Sequence, residues 1–370
     1  MKKVLISLSL FLFIIGTGNV SGQKYFETPD YNPEYSHLIL THPTVNNMKT
    51  FLNLVSKDLV ELQDTRIIGV FYQHGRYDYE KTKIFVDTCS SLPVDVYLHE
   101  VTDSVGVEEL YQNNELSDDF ETIFQQSEGV IFFGGPDMPP SAYGKKTNFL
   151  TSIYDPGRHF FELSFLYHLT GGSQDPTYQP LLKQKPGYII YGFCLGMQTM
   201  NVAAGGTLTQ DIPTEIYDTH VAEDIIKMDE NFIHRNYYRH IHIDEKLLSG
   251  SFHQVKIKEG CYLEELSEKT NPWVYSNHHQ CINELGMGYQ VIAHSMDQKI
   301  IEAFRHNDYR NVIGVQFHPE AMRLFNDDIE FRMIPGEKLQ CGRDILEETE
   351  SMRFHKAFWN DFSERFKNRQ

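Results

Sequence analysis

Residues 188–196 read YIIYGFCLG, and this stretch decides the fold. Its apolar first part, 188–193, predicts a buried β-strand, and residues 197–204 can begin a helix. The pattern G-x-C-x-G between them is typical of a nucleophile elbow, where glycines fit because a sharp strand-to-helix turn leaves no room for a Cβ. Cys194 is therefore the candidate nucleophile. The Leu195 N–H lies near the positive end of the helix, which favours the reactive thiolate.

A structural role for Cys194 is the alternative, because a cysteine on an apolar strand is most often a core residue. The flanking glycines and the strand–turn–helix context favour the nucleophile. The chain has five cysteines, and an odd number in an exported protein leaves at least one unpaired. We expect Cys194 to stay unpaired. Cys89, on a predicted helix, is interpreted as a core residue, whereas Cys261, Cys281 and Cys341 are left open as core, surface or disulfide-forming residues.

Outward from the elbow, short apolar runs alternate with amphipathic stretches. Continuous apolar strands separated by helices predict an α/β fold with a mostly parallel sheet covered on both faces. Before the elbow, the predicted strands are 37–40, 66–72, 94–98 and 129–133, and the predicted helices are 45–62, 80–92 and 156–169. After the elbow, strands are predicted at 254–257, 290–294, 300–304 and 312–317, followed by a helical tail at 343–366.

A thiol nucleophile needs a base, and position must decide among the 17 histidines. His318 lies in GVQFHPE, residues 314–320, at the end of an apolar strand, where parallel-sheet enzymes place their chemistry. Glu320 can reach back to the imidazole and fix its tautomer. The alternative is that His318 is a capping or surface histidine, and the His-Pro-Glu triplet argues against this interpretation. Residues 134–136 (GGP) end another buried strand and can offer an N–H to an oxyanion, with an ordinary turn as the alternative.

The amino terminus carries the pattern of a secretory signal peptide. Lys2 and Lys3 precede an apolar run at residues 5–15, and residues 20–22 suit a signal peptidase. The run is shorter than the roughly 20 residues that span a bilayer, which argues against an uncleaved membrane anchor. We expect cleavage after Gly22 and a periplasmic or secreted protein without a membrane partner. Residues 23–370 are predicted to form one domain, with insertions near 102–128 and 225–252 and a helical extension over 321–370.

Charge and residue spacing argue against other classes of protein. The 51 acidic residues outnumber the 33 Lys and Arg, so no basic surface for a nucleic acid is predicted. No organic cofactor or metal is predicted, because His240-x-His242 and His278-His279 have no carboxylate or cysteine at a convincing distance. A small-molecule substrate is the expected partner, and a homodimer is left open.

The three motifs in this order resemble those of class I glutamine amidotransferases, and within them the γ-glutamyl-γ-aminobutyrate hydrolase or peptidase C26 group. The resemblance runs from about residue 129 to residue 320 and is weak before 65 and over 209–250. Tyr275 stands where the group has Asn. Further stretches that fit the group are 155–162 with its D-x-x-R, 203–208 (AAGGTL), 276–280 (SNHHQ), 301–304 (IEAF) and 314–320.

The resemblance implies a flavodoxin-like three-layer sandwich and a reaction that needs no cofactor. It implies Cys194 as the nucleophile, His318 as the base and Glu320 as the residue that orients the base. It also implies an oxyanion hole formed by the N–H groups of Gly135 and Leu195. The residues that it places beside the substrate are Gly134, Gln198, His279 and Gln280.

Together these features predict an exported cysteine hydrolase that cleaves γ-glutamyl amide bonds through a thioester intermediate and releases glutamate. One alternative is a glutaminase that passes ammonia to a partner, which the export signal disfavours because it separates the chain from cytosolic synthetases. A close relative of the main prediction is a peptidase acting on poly-γ-glutamyl chains. The last alternative is a non-catalytic protein that binds γ-glutamyl ligands, which the intact triad disfavours.

Overall fold

The computed structural model of the protein describes residues 24–89 and 91–368. The predicted signal peptide, residues 1–22, lies outside the described residues. Within the described ranges, no helix is both long and apolar enough to cross a membrane.

Strands and helices alternate from Ser36 to Thr209, and short strands dominate the part that follows. The strands in the described ranges are β1 (Ser36–Thr41), β2 (Thr65–Tyr72), β3 (Val96–Val101), β4 (Gly129–Phe132), β5 (Ile189–Phe193), β6 (Thr207–Thr209), β7 (Ser251–Ile257), β8 (Trp273–Ser276), β9 (Cys281–Glu284), β10 (Tyr289–Ser295), β11 (Ile301–His306), β12 (Val312–Val315), β13 (Glu330–Phe331) and β14 (Gln340–Cys341). The α-helices there are α1 (Val45–Ser56), α2 (Glu80–Thr88), α3 (Ser117–Gln125), α4 (Pro156–Thr170), α5 (Leu195–Ala203), α6 (Ile212–Ile216), α7 (Ala222–Ile225), α8 (Tyr262–Leu266), α9 (Gly342–Glu348) and α10 (Met352–Lys367).

A ten-stranded sheet forms the centre of the molecule, in the order β3-β2-β1-β4-β5-β12-β11-β10-β7-β8. The strands from β3 to β12 are parallel, and those from β12 to β8 are antiparallel. The predicted α/β fold with a mostly parallel central sheet is confirmed. Strands β2-β1-β4-β5-β12 follow the flavodoxin order, and β3 is added outside β2. Because these strands run in one direction, the segments that follow β1, β4, β5 and β12 meet at one edge of the sheet.

Helices cover both faces of the sheet, and strand residues alternate between two cores. On β5, Tyr191 faces the core formed with α1 and α10, whereas Ile190 faces the core formed with α3, α4 and α5. Trp359 of α10 is fully buried, with its ring centroid 5.7 Å from that of Phe193. Burying such a side chain contributes about 1.5–3 kcal/mol. The segment after residue 320 therefore supplies part of the main core.

Some predicted boundaries need correction. The stretch 102–128, predicted to be irregular, contains α3, whose Phe120, Ile123 and Phe124 are fully buried. Its apolar residues have helical spacing, but the acidic residues on the exposed side hide this pattern. Helix α1 ends at Ser56 rather than at 62, because the chain turns through Asp58, whose φ is 56°.

Candidate active site

Cys194 occupies a tight turn between β5 and α5. It is the N-cap residue of α5, with φ 53° and ψ −106°, a conformation that is costly for a residue with a side chain. The neighbouring glycines are required by space. A Cβ on Gly192 would lie 2.5 Å from Met200 Sδ, and one on Gly196 would lie 2.2 Å from the Phe132 carbonyl oxygen. The elbow predicted from G-x-C-x-G is therefore present, and it presents Cys194 at the carboxyl edge of the sheet.

His318 and Glu320 follow β12 and lie beside Cys194. The ring Nδ1 of His318 is 2.7 Å from Glu320 Oε1. The backbone N–H of His318 donates to the Tyr275 carbonyl at 2.8 Å. Burial by itself lowers the pKa of His318, but the charges of Glu320 and Cys194 and the hydrogen bonds to both outweigh it and raise that pKa well above 6.5. The imidazolium is thus favoured next to the sulfur. The three predicted triad residues come together.

Helix α10 is hydrogen-bonded to the segment that carries His318 and Glu320. The indole Nε1 of Trp359 donates to the Pro319 carbonyl at 3.0 Å, between the two functional side chains of the His-Pro-Glu triplet. Trp359 lies 40 residues further along the chain. The sequence pattern shows an amphipathic helix there, but nothing in it links the indole to Pro319.

The loop at residues 134–136 lies directly over the elbow. A Cβ on Gly134 would be 2.8 Å from His318 Cε1 and 3.5 Å from Cys194 Cβ, so only glycine allows this approach. A Cβ on Gly135 would be 3.1 Å from Leu195 Cδ2. Gly135 and Leu195, the two predicted oxyanion donors, are therefore neighbours.

A buried ion pair orients this loop. Arg158 Nη2 donates to the carbonyls of Phe133 at 2.9 Å and Gly134 at 3.3 Å, and Arg158 Nε donates to Glu162 at 3.1 Å. Since a trans peptide points its N–H away from its carbonyl, holding the Gly134 carbonyl also fixes the direction of the Gly135 N–H. Thr41 Oγ1 donates to Glu162 at 3.0 Å, which ties this support to the end of β1.

His279, predicted to contact substrate, bridges two carboxylates. Its Nδ1 is 3.0 Å from Asp211 and its Nε2 is 3.1 Å from Asp137, which directly follows the oxyanion loop. Burial lowers the pKa of His279, but these hydrogen bonds and the charge of Asp137 raise it to about 9. The prediction that no carboxylate lies near His279 is wrong, because both partners come from distant parts of the chain.

Gln198 and Gln280, the other predicted substrate contacts, lie in the interior. Gln198 Nε2 donates to the Gln280 carbonyl at 3.1 Å and to Gln316 Oε1 at 3.3 Å. Gln280 Nε2 donates to the Gln210 carbonyl at 3.1 Å. Both side chains are almost fully buried, so they brace the turns around the elbow in this structure.

A cavity of about 420 Å³ opens beside His318 and Glu320. Sequence reasoning missed two of its residues, His42 and Arg323. His42 follows β1 with φ 47°, and its only sequence signal is its place at a strand end. Arg323 lies with its guanidinium 5.0 Å from the Tyr275 ring centroid. The lining includes Gly134, Gly135, His318, Glu320, His42, Asn47, Tyr275, Asn277 and Arg323.

All five cysteines are free thiols in the structure, as expected for Cys194. Cys281 and Cys341 are buried, and Cys261 is half-buried. Cys89 is also half-buried rather than a core residue, because α2 ends one residue before it near the edge of the sheet.

Several known proteins are similar to this chain. The glutamine amidotransferase-like protein YvdE of Lactococcus lactis is 30% identical over 192 residues, which cover 52% of this chain and 65% of that protein. The glutamine amidotransferase-like protein RP404 of Rickettsia prowazekii is 28% identical over 235 residues, covering 58% of this chain and 78% of that protein. A solved glutamine amidotransferase from Thermotoga maritima has a TM-score of 0.40 and 10% identity, over 90% of this chain and 98% of that one.

An elbow cysteine, a His–Glu pair and a glycine loop at one edge of an α/β sheet define a protein of the class I glutamine amidotransferase-like superfamily. The family model of peptidase C26 matches residues 66–320, which include all three of these features. The chain belongs to the peptidase C26 family.

Proposed function

We propose that this protein is an exported cysteine hydrolase that cleaves γ-glutamyl amide bonds and releases glutamate. The observation that carries the proposal is the convergence of Cys194, on its strained elbow, with the His318–Glu320 pair. A histidine that is held by a carboxylate and placed beside a thiol is the arrangement that activates a cysteine nucleophile. The Arg158-supported loop adds a place for the oxyanion.

The reaction follows from these positions. The Cys194 thiolate attacks the γ-carbonyl carbon, and the carbonyl electrons move to the oxygen, which accepts hydrogen bonds from the Leu195 and Gly135 N–H groups. The C–N bond then breaks while the His318 imidazolium gives its proton to the leaving amine. Neutral His318 next takes a proton from water, which attacks the thioester and releases glutamate and the thiolate. Glu320 stabilises the imidazolium in both steps.

The cavity supports recognition of an anionic glutamyl group. Arg323 lines it together with His318 and is half-buried, with its guanidinium 5.0 Å from the Tyr275 ring centroid. A guanidinium in this setting suits the α-carboxylate of a γ-glutamyl group through charge-assisted hydrogen bonds. The relatives named glutamine amidotransferase-like point to the same bond, because the side-chain amide of glutamine is itself a γ-glutamyl amide.

Release of glutamate from a panel of substrates tests the proposal. The panel comprises γ-glutamyl dipeptides, γ-glutamyl polyamines, poly-γ-glutamate and glutamine. We expect turnover of at least one γ-glutamyl amide, and formation of γ-glutamyl hydroxamate when hydroxylamine intercepts the thioester. Turnover only of glutamine, and only with an added protein, would favour the ammonia-transferring glutaminase. Saturable binding without turnover would favour the non-catalytic protein.

Cys194→Ala should lower kcat by at least about 10⁴-fold, since loss of a nucleophile removes the covalent route. Cys341→Ala is a matched control, because Cys341 is equally buried, 5% exposed, and also precedes a helix. Its φ is −105°, so it is not presented on an elbow. Equal losses in the two variants would contradict the assignment of Cys194.

Export is the second part of the proposal. Its support is the sequence of residues 1–22, with two lysines before an apolar run. Expression of the full chain in a Gram-negative host should yield periplasmic protein that begins at Gln23. Cytosolic protein that retains residues 1–22 would contradict it.

A further inference from the structure

Four buried side chains that are not part of the triad converge in one place. They are His234, His253, His278 and Glu302, and one potential ligand atom from each lies within 4.8 Å of the others. Their exposed fractions are 2%, 0%, 4% and 0%. His253 belongs to β7 and Glu302 to β11, whereas the other two lie in loops. The prediction that His278 has no carboxylate nearby is therefore wrong, and the chain brings Glu302 to it from another strand.

The tautomer of His278 follows from its hydrogen bond. Its Nδ1 is 2.9 Å from the Gln280 carbonyl oxygen, which can only accept, so Nδ1 carries the proton. The Nε2 atom is then a bare lone pair. It has no hydrogen-bond partner and lies 4.0 Å from Glu302 Oε1. A lone pair that faces a carboxylate is unfavourable unless a proton or a cation lies between them.

The side chains of Glu302 and His234 also lack hydrogen-bond partners. Neither carboxylate oxygen of Glu302 and neither ring nitrogen of His234 has a hydrogen-bond partner, although His234 Nδ1 is 3.2 Å from Glu302 Oε1. A single proton shared between Glu302 and one of these nitrogens would leave at least one of the other buried polar atoms unmatched. One cation would contact all of these atoms at once. Buried polar atoms without partners call for such an explanation.

His253 contributes the third imidazole of the group. Its Nδ1 is 3.1 Å from the Gln254 carbonyl, which assigns the proton to Nδ1, and its Nε2 accepts from Ser276 Oγ at 2.8 Å, a hydrogen bond that a bound cation would replace. A proton on Nδ1 leaves Nε2 of both His253 and His278 with the lone pair of a neutral imidazole, the form that binds a metal.

We propose that His234, His253, His278 and Glu302 form a structural binding site for a divalent transition-metal cation, with Zn²⁺ as the best match. Three imidazole nitrogens and one carboxylate oxygen make a four-ligand set of the kind that Zn²⁺ prefers in tetrahedral sites. Mg²⁺ and Ca²⁺ fit poorly because they require mainly oxygen ligands. Burial of all four side chains leaves no open position for substrate, so the site is assigned a structural role.

Bound metal would fasten an irregular segment to the sheet. His234 lies within 225–252, the largely irregular stretch predicted as an insertion, and its carbonyl accepts from the His278 N–H at 3.1 Å. The residue after His278 is His279, which holds Asp137 beside the oxyanion loop. The metal would thus position the wall of the active site without contacting the reacting atoms.

Metal content and metal binding test this proposal independently of any hydrolase activity. The protein, purified without an affinity tag, is analysed for bound metal, then stripped with a chelator and titrated with Zn²⁺ and Co²⁺. We expect one equivalent per chain, a visible absorption spectrum of tetrahedral Co²⁺, and a rise in Tm of at least about 3 °C with saturating Zn²⁺. Absence of metal as purified, together with no stoichiometric binding by the stripped protein, would overturn the proposal.

Two variants locate the metal. Glu302→Gln and His278→Gln should each lose the stoichiometric cation and the Zn²⁺-dependent rise in Tm. The matched control is His355→Gln, since His355 is another fully buried histidine, bonded to the Trp273 carbonyl and outside the cluster. Unchanged binding in both cluster variants would assign the metal to another place. If these variants do not fold, the Co²⁺ spectrum and stoichiometry of the unaltered protein decide the question.

Discussion

Two buried glutamates lie near histidines on neighbouring parts of the sheet, Glu320 after β12 and Glu302 on β11, and their surroundings differ sharply. Glu320 bonds His318 at 2.7 Å, and the pKa of His318 is raised well above its ordinary value despite burial. The Glu302 carboxylate has no hydrogen-bond partner, and burial holds the pKa of His278 well below its ordinary value although the charge of Glu302 opposes this. The same residue types thus produce a proton carrier in one place and a set of neutral ligands in the other.

A third buried glutamate, Glu162, has a partner of another kind. Glu162 is fully buried, and its partner is Arg158, whose charge is permanent. The partner therefore decides what each carboxylate does. A titratable partner beside a thiol suits catalysis, a permanent cation suits support of a loop, and neutral imidazoles suit a metal. Each contrast can be tested by changing one partner.

The largest effect is expected when Glu320 loses its charge. Glu320→Gln should keep the shape of the pair but lower kcat by about 10³–10⁴-fold, because an amide neither stabilises the imidazolium nor enforces its tautomer. Steady-state hydrolysis of the preferred γ-glutamyl amide measures this. Glu348→Gln, at an exposed position on α9, is the control. A loss below about tenfold would mean that Glu320 does not orient the base.

Removal of the permanent cation should cost stability. Arg158→Met leaves Glu162 buried without its ion pair, and we expect a loss of about 3–5 kcal/mol in the free energy of unfolding. Urea denaturation measures it. Arg343→Met removes an exposed ion pair with Asp327 and should leave the midpoint nearly unchanged. Equal losses of stability in the two variants would mean that the buried Arg158–Glu162 pair contributes no more to folding than the exposed Arg343–Asp327 pair.

The pH dependence of catalysis should report the pKa of His318. Protonated His318 is needed to expel the amine, so kcat/KM should fall as the pH rises through its raised pKa. Glu320→Gln removes a charge that raises this pKa, and the alkaline limb should therefore move to lower pH, by about one unit or more. The residual activity of the variant, followed across pH, shows the shift. An unmoved alkaline limb would assign it to another group.

The smallest effect is expected when Trp359 of α10 loses its hydrogen bond to the Pro319 carbonyl. Trp359→Phe keeps an aromatic ring in the core but leaves the Pro319 carbonyl without its donor, which should cost about 1–3 kcal/mol of stability. Because His318 and Glu320 flank this carbonyl, kcat should also fall a few-fold. Trp273→Phe is the control, since Trp273 is the other of the two tryptophans and it is Trp359, not Trp273, whose indole donates to the Pro319 carbonyl. Equal changes in kcat for both variants would exclude a positioning role.

The placements that the sequence predicted and the structure shows are local. Gly192 and Gly196 flank Cys194 within the same turn, and Glu320 lies two residues from His318, so chain geometry alone restricts their separation. Continuous apolar strands likewise reveal a parallel sheet, because both of its faces are buried. The prediction that was wrong at 102–128 lies where charged surface residues mask an apolar stripe.

The sequence by itself determined the fold class, the elbow cysteine and the His-Pro-Glu triplet, because each depends on residues close together in the chain or on a simple period. Tertiary structure alone decided that His279 meets Asp137 from 142 residues away, that Trp359 holds Pro319, and that His278 faces Glu302. Such contacts depend on strand order and helix packing, which bring distant residues together without leaving a spacing pattern. The positions of Gln198 and Gln280 likewise became clear only once burial was known.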